Sequence, residues 1–398
     1  MKIVLLTTDN RQPSRQFDNP NPWFGTAPEA LLQGFAGLPE VEVHIVSCTQ
    51  YPMVSSPEKL TPNVWFYSLH VPKLGWMRTG YQGCILAARR KIQQIAPDVV
   101  HGQGTERDCS LEAIFSGFPD VVTIHGNMRL VAQTQRAKPL SFYWLAARFE
   151  AFTLRRTGGV ICLSRHTENA VRALAKRTWV VPNAVDPTFF DVTRAPDELP
   201  LILCAGSVTP WKNQNAFIRA LDPLAAKNKL RLVFLGGAGH DSYGREFRGL
   251  LATRPWCEHV DFAKREVVKA WLARATALAL PSLEENCPMV ILEAAAAGVP
   301  VVAAKVGGVP DLIEEAKTGF LFAPDDAPGM ANAVSRILND ATAARQMAAE
   351  ARRVAIENFH PLRIARRHLE IYREVLGVKK SGRYSPLHPS NPQTERLP

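Results

Sequence analysis

A chain of 398 residues with 46% apolar content can fill two cores of roughly 150 to 200 residues each, which excludes a single small module. A formal net charge of +10 favours acidic partners, yet the basic residues are dispersed, and no recognised motif or aromatic-interleaved basic stripe points to nucleic acid. The seven cysteines (Cys48, Cys84, Cys109, Cys162, Cys204, Cys257 and Cys287) are odd in number and lack C-x-x-C pairs or histidines at zinc spacing, so a reduced, cytoplasmic protein without a structural metal is expected. The amino terminus MKIVLLTTDNRQ suits a buried first strand better than a signal peptide, and no window approaches the ~18 to 20 apolar residues of a membrane span.

Along the chain, short runs rich in β-branched residues alternate with segments of helical period. KIVLLTT, VEVHIVS, VWFYSLHV, DVVHG, DVVTIHG, GVICLS and WVVPN form a first set of strands. LILCAGS, LRLVFLGG, HVDFA, ALALPS, VPVVAA and GFLFAP form a second. Alternation of this kind predicts two doubly wound α/β sheets with helices on both faces. An aperiodic stretch rich in Pro and Asp, NAVDPTFFDVTRAPDELP, marks the joint. The expected organisation is therefore a first Rossmann-like domain over 1–183, a linker over 184–200 and a second such domain over 201–360. A helix over 361–377 then returns to the first domain, and a disordered tail occupies 378–398, which has almost nothing apolar to bury. Ligands of open parallel sheets sit outside the carboxyl ends of the strands, so two such edges facing each other make a two-substrate cleft.

The most informative stretch is PSLEENCPMVILEAAAAGVPVVAAKVGGVPDLIEEAKTGFLF. Pro288 suits the first turn of a helix, where its missing N–H costs nothing. The amides of Met289 and Val290 then lie unpaired at the positive end of the helix dipole, a ready phosphate site. Glu285, in the preceding turn, lies beside whatever the phosphate carries, and Glu293 can grip a diol with two acceptor oxygens. Taken alone, both acids also fit simple helix-start glutamates. Gly307 and Gly308, at the end of the next strand, let the backbone approach a ligand closely.

In order and spacing the same stretch resembles the donor-binding signature of the family 4 retaining glycosyltransferases of the two-domain GT-B fold: P-S, a Glu with seven residues to a second Glu, A-x-G-x-P-V-V, then two glycines and T-G. The resemblance covers most of the chain and is weakest in its amino-terminal half. It implies that Glu293 holds the ribose hydroxyls of a nucleotide, that Glu285 contacts the donor sugar near the reacting face, and that Asn286, Pro288, Met289 and Val290 line the donor. Lys212, in AGSVTPWKNQNAF, falls where the family places a lysine on the diphosphate. Ser207 replaces a common arginine, a loss that Lys305 could offset. His125, in VVTIHGNMR, resembles the histidine facing the donor across the cleft, whereas His101 reads as structural. Gly25 and Thr26 stand for the double glycine of the loop after the first strand, Ala184 for the glycine of the interdomain segment, and Asp311 for a glutamate.

The implied function is a hexosyl transfer from a nucleotide-diphosphate sugar to an acceptor hydroxyl with retention, in polysaccharide or glycoconjugate synthesis. The acceptor would be a carbohydrate, a lipid-linked sugar or a small molecule. Neither a cofactor nor a metal is expected, since no D-x-D motif occurs to bridge the phosphates. A nucleotide-sugar epimerase of the same fold is one alternative, and LGGAGHDSYG after a strand keeps a Rossmann oxidoreductase as another. The basic amphipathic helix around Trp144, Arg148, Arg155 and Arg156 has two readings, packing on the first sheet or peripheral docking on the anionic inner face of a membrane.

Overall fold

The computed structural model describes residues 1–54, 58–261 and 264–377; the tail expected over 378–398 lies outside them. The first sheet contains β1 (Lys2–Leu6), β2 (Glu42–Thr49), β3 (Lys59–Thr61), β4 (Val64–His70), β5 (Val99–Gln103), β6 (Asp120–Ile124), β7 (Val160–Cys162) and β8 (Thr178–Val180), in the spatial order β3-β4-β2-β1-β5-β6-β7-β8. All its pairings are parallel except β3 with β4. β3 is the strand missing from the sequence reading. It is three residues long, KLT, at an edge where no apolar run is needed.

The second sheet contains β9 (Leu201–Ala205), β10 (Arg231–Leu235), β11 (Cys257–Val260), β12 (Ala277–Leu280), β13 (Val301–Ala304) and β14 (Phe320–Phe322), ordered β11-β10-β9-β12-β13-β14 and parallel throughout. Leaving aside the antiparallel edge strand β3, each sheet reverses its strand order once, between β1 and β5 and between β9 and β12. Those two switch points are where loops diverge to opposite faces and leave a crevice at the carboxyl ends.

Successive residues of the central strands feed cores on opposite faces, which is why the strands read as continuous apolar runs rather than alternating ones. Ile3, Leu5, Val43 and Ile45 pack with Phe35 and Tyr372, while Val4, Leu6, Val46 and Val100 pack with Ala88 and Ile92. In the second sheet Leu203, Val233 and Leu278 meet Ile291 and Leu292, whereas Ile202, Leu232 and Phe234 meet Phe217, Ile218 and Met330.

The chain crosses between the sheets twice, near Asn183–Asp186 and again near Phe359, where Val185 N–H donates to the Phe359 carbonyl at 3.0 Å. The helix Pro361–Val375 then lies against the helix Thr26–Ala36 of the first sheet, and the Tyr372 hydroxyl meets His101 Nδ1 at 2.6 Å. His101 is fully buried and also bonded through Nε2 to Thr123 at 2.7 Å, so it is a structural residue of the core.

Candidate active site between the two sheets

The loops after β9 and β12 carry the charged groups of the second sheet. β9 ends at Ala205, and the short 3-10 turn Pro210–Lys212 brings the Lys212 ammonium onto Glu285 Oε1, to which Ser282 Oγ also donates at 2.7 Å. Leu283 N–H donates to the Trp211 carbonyl at 2.8 Å and ties the two loops together. Lys212 and Glu285, 73 residues apart in sequence, are thus one ion pair at the switch point, with side-chain exposures of 29% and 11%. Ser207 is exposed, and its carbonyl accepts from Gln214 Nε2 at 3.0 Å. Lys305, just past β13, has an exposed side chain that forms no ion pair among the described residues.

Pro288 caps the helix Met289–Ala296 with extended backbone (φ −67°, ψ 115°) and offers no side-chain acceptor. Ile291 N–H turns back to the Pro288 carbonyl at 3.1 Å, whereas the amides of Met289 and Val290 meet no acceptor among the described residues. They are oriented donors at the positive end of a helix, with Lys212 paired to the residue just upstream. Glu293 lies one turn further on. It is only 8% exposed and has no hydrogen-bond partner among the described residues, and burial raises its carboxyl to about 7, opposed by the field of Arg265. A buried carboxyl without a partner is expensive unless something outside the chain completes it.

Gly307 and Gly308 also pack against the loop of Glu285. At Gly307, where φ is +48°, a Cβ would lie 1.9 Å from the Glu285 carbonyl oxygen, and at Gly308 a Cβ would lie 1.9 Å from that of Asn286. The close approach they permit is to the backbone of the loop holding Glu285, which Gly308 N–H also anchors at 2.9 Å. The glycines therefore fix the acid's loop by packing.

Asn286 also departs from expectation. Its Oδ1 accepts from Ser164 Oγ at 2.7 Å and Thr167 Oγ1 at 2.6 Å, and its Nδ2 donates to the carbonyls of His125 at 2.8 Å and Ile124 at 3.3 Å. Every polar atom of the side chain is spent on the facing domain, which leaves none for a nucleotide. Asp311 acts similarly, accepting from Arg165 N–H at 2.6 Å, and Glu284 pairs with His166 at 3.3 Å. These contacts seat the loop of Glu285 on the first sheet.

From that side comes His125, at the carboxyl end of β6. Its Nε2 donates to Gln103 Oε1 at 2.8 Å, and burial lowers its pKa to about 4, so at neutral pH the ring is uncharged with its lone pair on Nδ1. Beside it, Glu106 accepts from Gly126 N–H at 2.6 Å and Glu150 from Met128 N–H at 3.0 Å and Arg129 N–H at 3.1 Å. The loop after β1 ends at Gly25, whose φ of +86° starts the helix Thr26–Ala36; a Cβ there would meet Asn10 Nδ2 at 2.9 Å. Glu29 in the first turn of that helix receives Arg265 at 3.1 Å, and Arg265 also binds Asp186 of the crossover at 2.5 Å. Arg265 was invisible in the sequence because its partners lie 236 and 79 residues away. The loop LGGAGHDSYG follows β10, beside the switch point rather than in it, and Asp241 caps its helix by accepting from Gly244 N–H at 2.8 Å.

Outside the cleft, the helix Phe142–Leu154 buries Ala146, Glu150, Thr153 and Leu154; it packs against the helices Met128–Thr134 and Cys109–Ile114, and Leu154 meets Ile124, Val160 and Cys162 of the first sheet, as the packing reading expects. Its outer side shows Phe142 and Tyr143, with Arg148 over the Trp144 ring at 4.4 Å and Arg156 over the Phe152 ring at 3.6 Å. No helix among the described residues is long and apolar enough to cross a membrane.

Two family models match the chain, one for Glycosyltransferase Family 4 over residues 30–189 and one for Glycosyl transferases group 1 over residues 199–340. The chain is similar to the N-acetyl-alpha-D-glucosaminyl L-malate synthase of Bacillus anthracis, 34% identical over 120 residues, a match spanning 30% of this chain and about a third (32%) of that relative. Among solved structures, the sucrose-phosphate synthase of Thermosynechococcus elongatus superposes with a TM-score of 0.76 at 20% identity, covering 95% of this chain and 100% of the other. Anabaena HepE in complex with UDP superposes at 0.70 and 19% identity, covering 94% and 100%. The shared architecture is the GT-B fold, two parallel sheets facing across a cleft.

Proposed function

The chain belongs to the group 1, family 4 glycosyltransferases, and from that premise we propose that it moves a hexosyl group from a nucleotide-diphosphate sugar to an acceptor hydroxyl with retention of configuration, in the synthesis of a polysaccharide or glycoconjugate. The single observation that carries this reading is the grouping, at the β9/β12 switch point, of the Lys212–Glu285 pair, the two free amides of Met289 and Val290 and the unpartnered Glu293. Breaking the bond between the anomeric carbon and the diphosphate puts negative charge on the departing oxygen and positive charge on the sugar ring. In our reading the helix amides and Lys212 take the diphosphate, so that neutralisation needs no metal, and Glu285, released from Lys212, orients the sugar. Glu293 accepts from the ribose hydroxyls. Neutral His125 faces the sugar from the first sheet. HepE, bound to UDP, is a neighbour that supports a nucleotide in this cleft.

The test is a panel of UDP-, GDP- and ADP-sugars with and without acceptors, read by release of nucleoside diphosphate. Acceptor-dependent release with one donor class is expected. Conversion of the sugar without any acceptor would favour the epimerase, and release from none would set the reading aside.

The outer face of the helix Phe142–Leu154 supports a finer reading of the acceptor as lipid-linked, reached by docking on an anionic membrane surface, because it joins arginines to exposed aromatic rings. Vesicles containing anionic lipid should sediment the protein at low salt, and Arg148→Glu with Arg156→Glu should abolish it; equal sedimentation of the double variant would refute this placement.

A further inference from the structure

The spacing of the cysteines in the sequence speaks against a metal, but the fold brings two of them together with two acids. Cys48 near the end of β2, Cys84 in the first turn of the helix Gln82–Ile95, Asp108 in the loop after β5 and Glu112 in the helix Cys109–Ile114 each present one ligand atom, all within 4.8 Å of one another. All four are buried, at 6%, 0%, 4% and 1% exposure, beneath Trp76, Tyr81 and Leu111. None of the four forms an ion pair among the described residues, and the field of Arg107 acts on Asp108. The Cys48 thiol donates to the Cys84 carbonyl at 3.8 Å, and Glu112 Oε1 is buried with no hydrogen-bond partner among the described residues. An orphaned carboxylate oxygen in a closed pocket is costly, and a cation or a proton relieves that cost.

We infer that Cys48, Cys84, Asp108 and Glu112 form a structural site for one zinc-class divalent cation behind the cleft wall. The donor set selects that class. Thiolates disfavour magnesium and calcium, which take oxygen ligands, while sulfur and carboxylate together suit tetrahedral zinc. Tetrahedral ligation at ~2.3 Å to sulfur and ~2.0–2.2 Å to oxygen places donor atoms roughly 3.3–3.8 Å apart, so closing the cluster takes movements of about 1 Å or less. Loading displaces the two thiol protons to solvent. The consequence reaches the cleft. Asp108 and Glu106 share one loop, and Glu106 holds Gly126 next to His125, so a cation there would stiffen the first-sheet side of the site. The diphosphate chemistry does not pass through it.

The full chain, reduced and stripped with a chelator, is titrated with Co²⁺ and with Zn²⁺ alone. One equivalent is expected to bind, with a thiolate-to-cobalt charge-transfer band that Zn²⁺ abolishes and a Tm rise that saturates at one equivalent. Cys48→Ser and Cys84→Ser should each remove about half of the band's intensity. Glu112→Gln should weaken binding at least the roughly 10- to 100-fold that even an outer partner is worth. Cys257→Ser, in the other domain, serves as the control that leaves the band unchanged. Because a cysteine variant could misfold, Glu112→Gln and the wild-type titration stand by themselves. Absence of a saturable band in the wild type, an undiminished band in Cys84→Ser, or unchanged cobalt affinity in Glu112→Gln would overturn the site and leave a protonated thiol–carboxyl network in its place.

Discussion

The two walls of the cleft achieve order by opposite means. The second-sheet wall is built from charge and unpaired donors: a lysine against a glutamate, two helix amides without acceptors and a carboxyl without a partner. The first-sheet wall is built from groups already satisfied, with an uncharged His125 bonded to Gln103 and with Glu106 and Glu150 accepting backbone amides. The contrast teaches that one wall is poised to receive a polyanion, whereas the other holds position. Substitutions on the charged wall should therefore act on binding and turnover, and those on the satisfied wall on the fit between domains.

Lys212→Ala should have the largest effect, lowering kcat/KM about 10²- to 10³-fold, the range for removing one preorganised donor from a developing oxyanion. A steady-state assay of nucleoside diphosphate release reads it, and a change below threefold would detach Lys212 from the diphosphate. Glu285→Ala should lower turnover about 10²-fold with little change in nucleotide affinity, separating sugar orientation from nucleotide grip. Equal turnover in the two proteins would remove Glu285 from the active site.

Glu293 gives the pH signature. Burial raises its carboxyl from 4.5 to about 7, so the folded chain keeps a proton that the unfolded chain has lost. Stability should then fall as pH rises from 4.5 through 7, by up to roughly 3 kcal/mol relative to Glu293→Gln, since each pH unit of difference is worth ~1.4 kcal/mol. Nucleotide binding favours the ionised form and runs the other way. Below pH 7 wild-type affinity should weaken by up to about tenfold per unit relative to Glu293→Gln, which also cancels the titration of the phosphate itself. Parallel profiles for the two proteins would show that Glu293 does not face the ribose.

Asn286→Ala should have the smallest effect on chemistry. Loss of its bonds to Ser164, Thr167 and the His125 carbonyl should cost about 1–2 kcal/mol of stability and a few-fold in kcat/KM. A large loss of nucleotide affinity with unchanged Tm would instead return Asn286 to the donor site.

The same division governs what could be read from sequence. Thirteen of the fourteen strands among the described residues announced themselves as apolar runs, because strands buried on both faces need them, and only the three-residue β3 did not. Glu285, Pro288, Met289, Val290 and Glu293 share one loop and helix, so spacing alone placed them together. The family resemblance put Lys212 and Glu285 in the same site, but their ion pair, across 73 residues of sequence, was not legible. What stayed hidden depends on tertiary distance: Arg265 between Glu29 and Asp186, the clasp of Asn286, and Cys48 with Glu112, whose partners come from separate strands and helices. Gly307 and Gly308 were legible as glycines but not as packing, because what they avoid is the backbone of another loop.

The central claim is that a diphosphate sits at the amino end of the helix Met289–Ala296. A crystal structure with a bound nucleoside diphosphate tests it directly. Phosphate oxygens within hydrogen-bonding distance of the Met289 and Val290 amides, with Lys212 turned from Glu285 toward them, are the predicted result. A diphosphate bound elsewhere in the cleft, with those amides capped by a protein group, would contradict it.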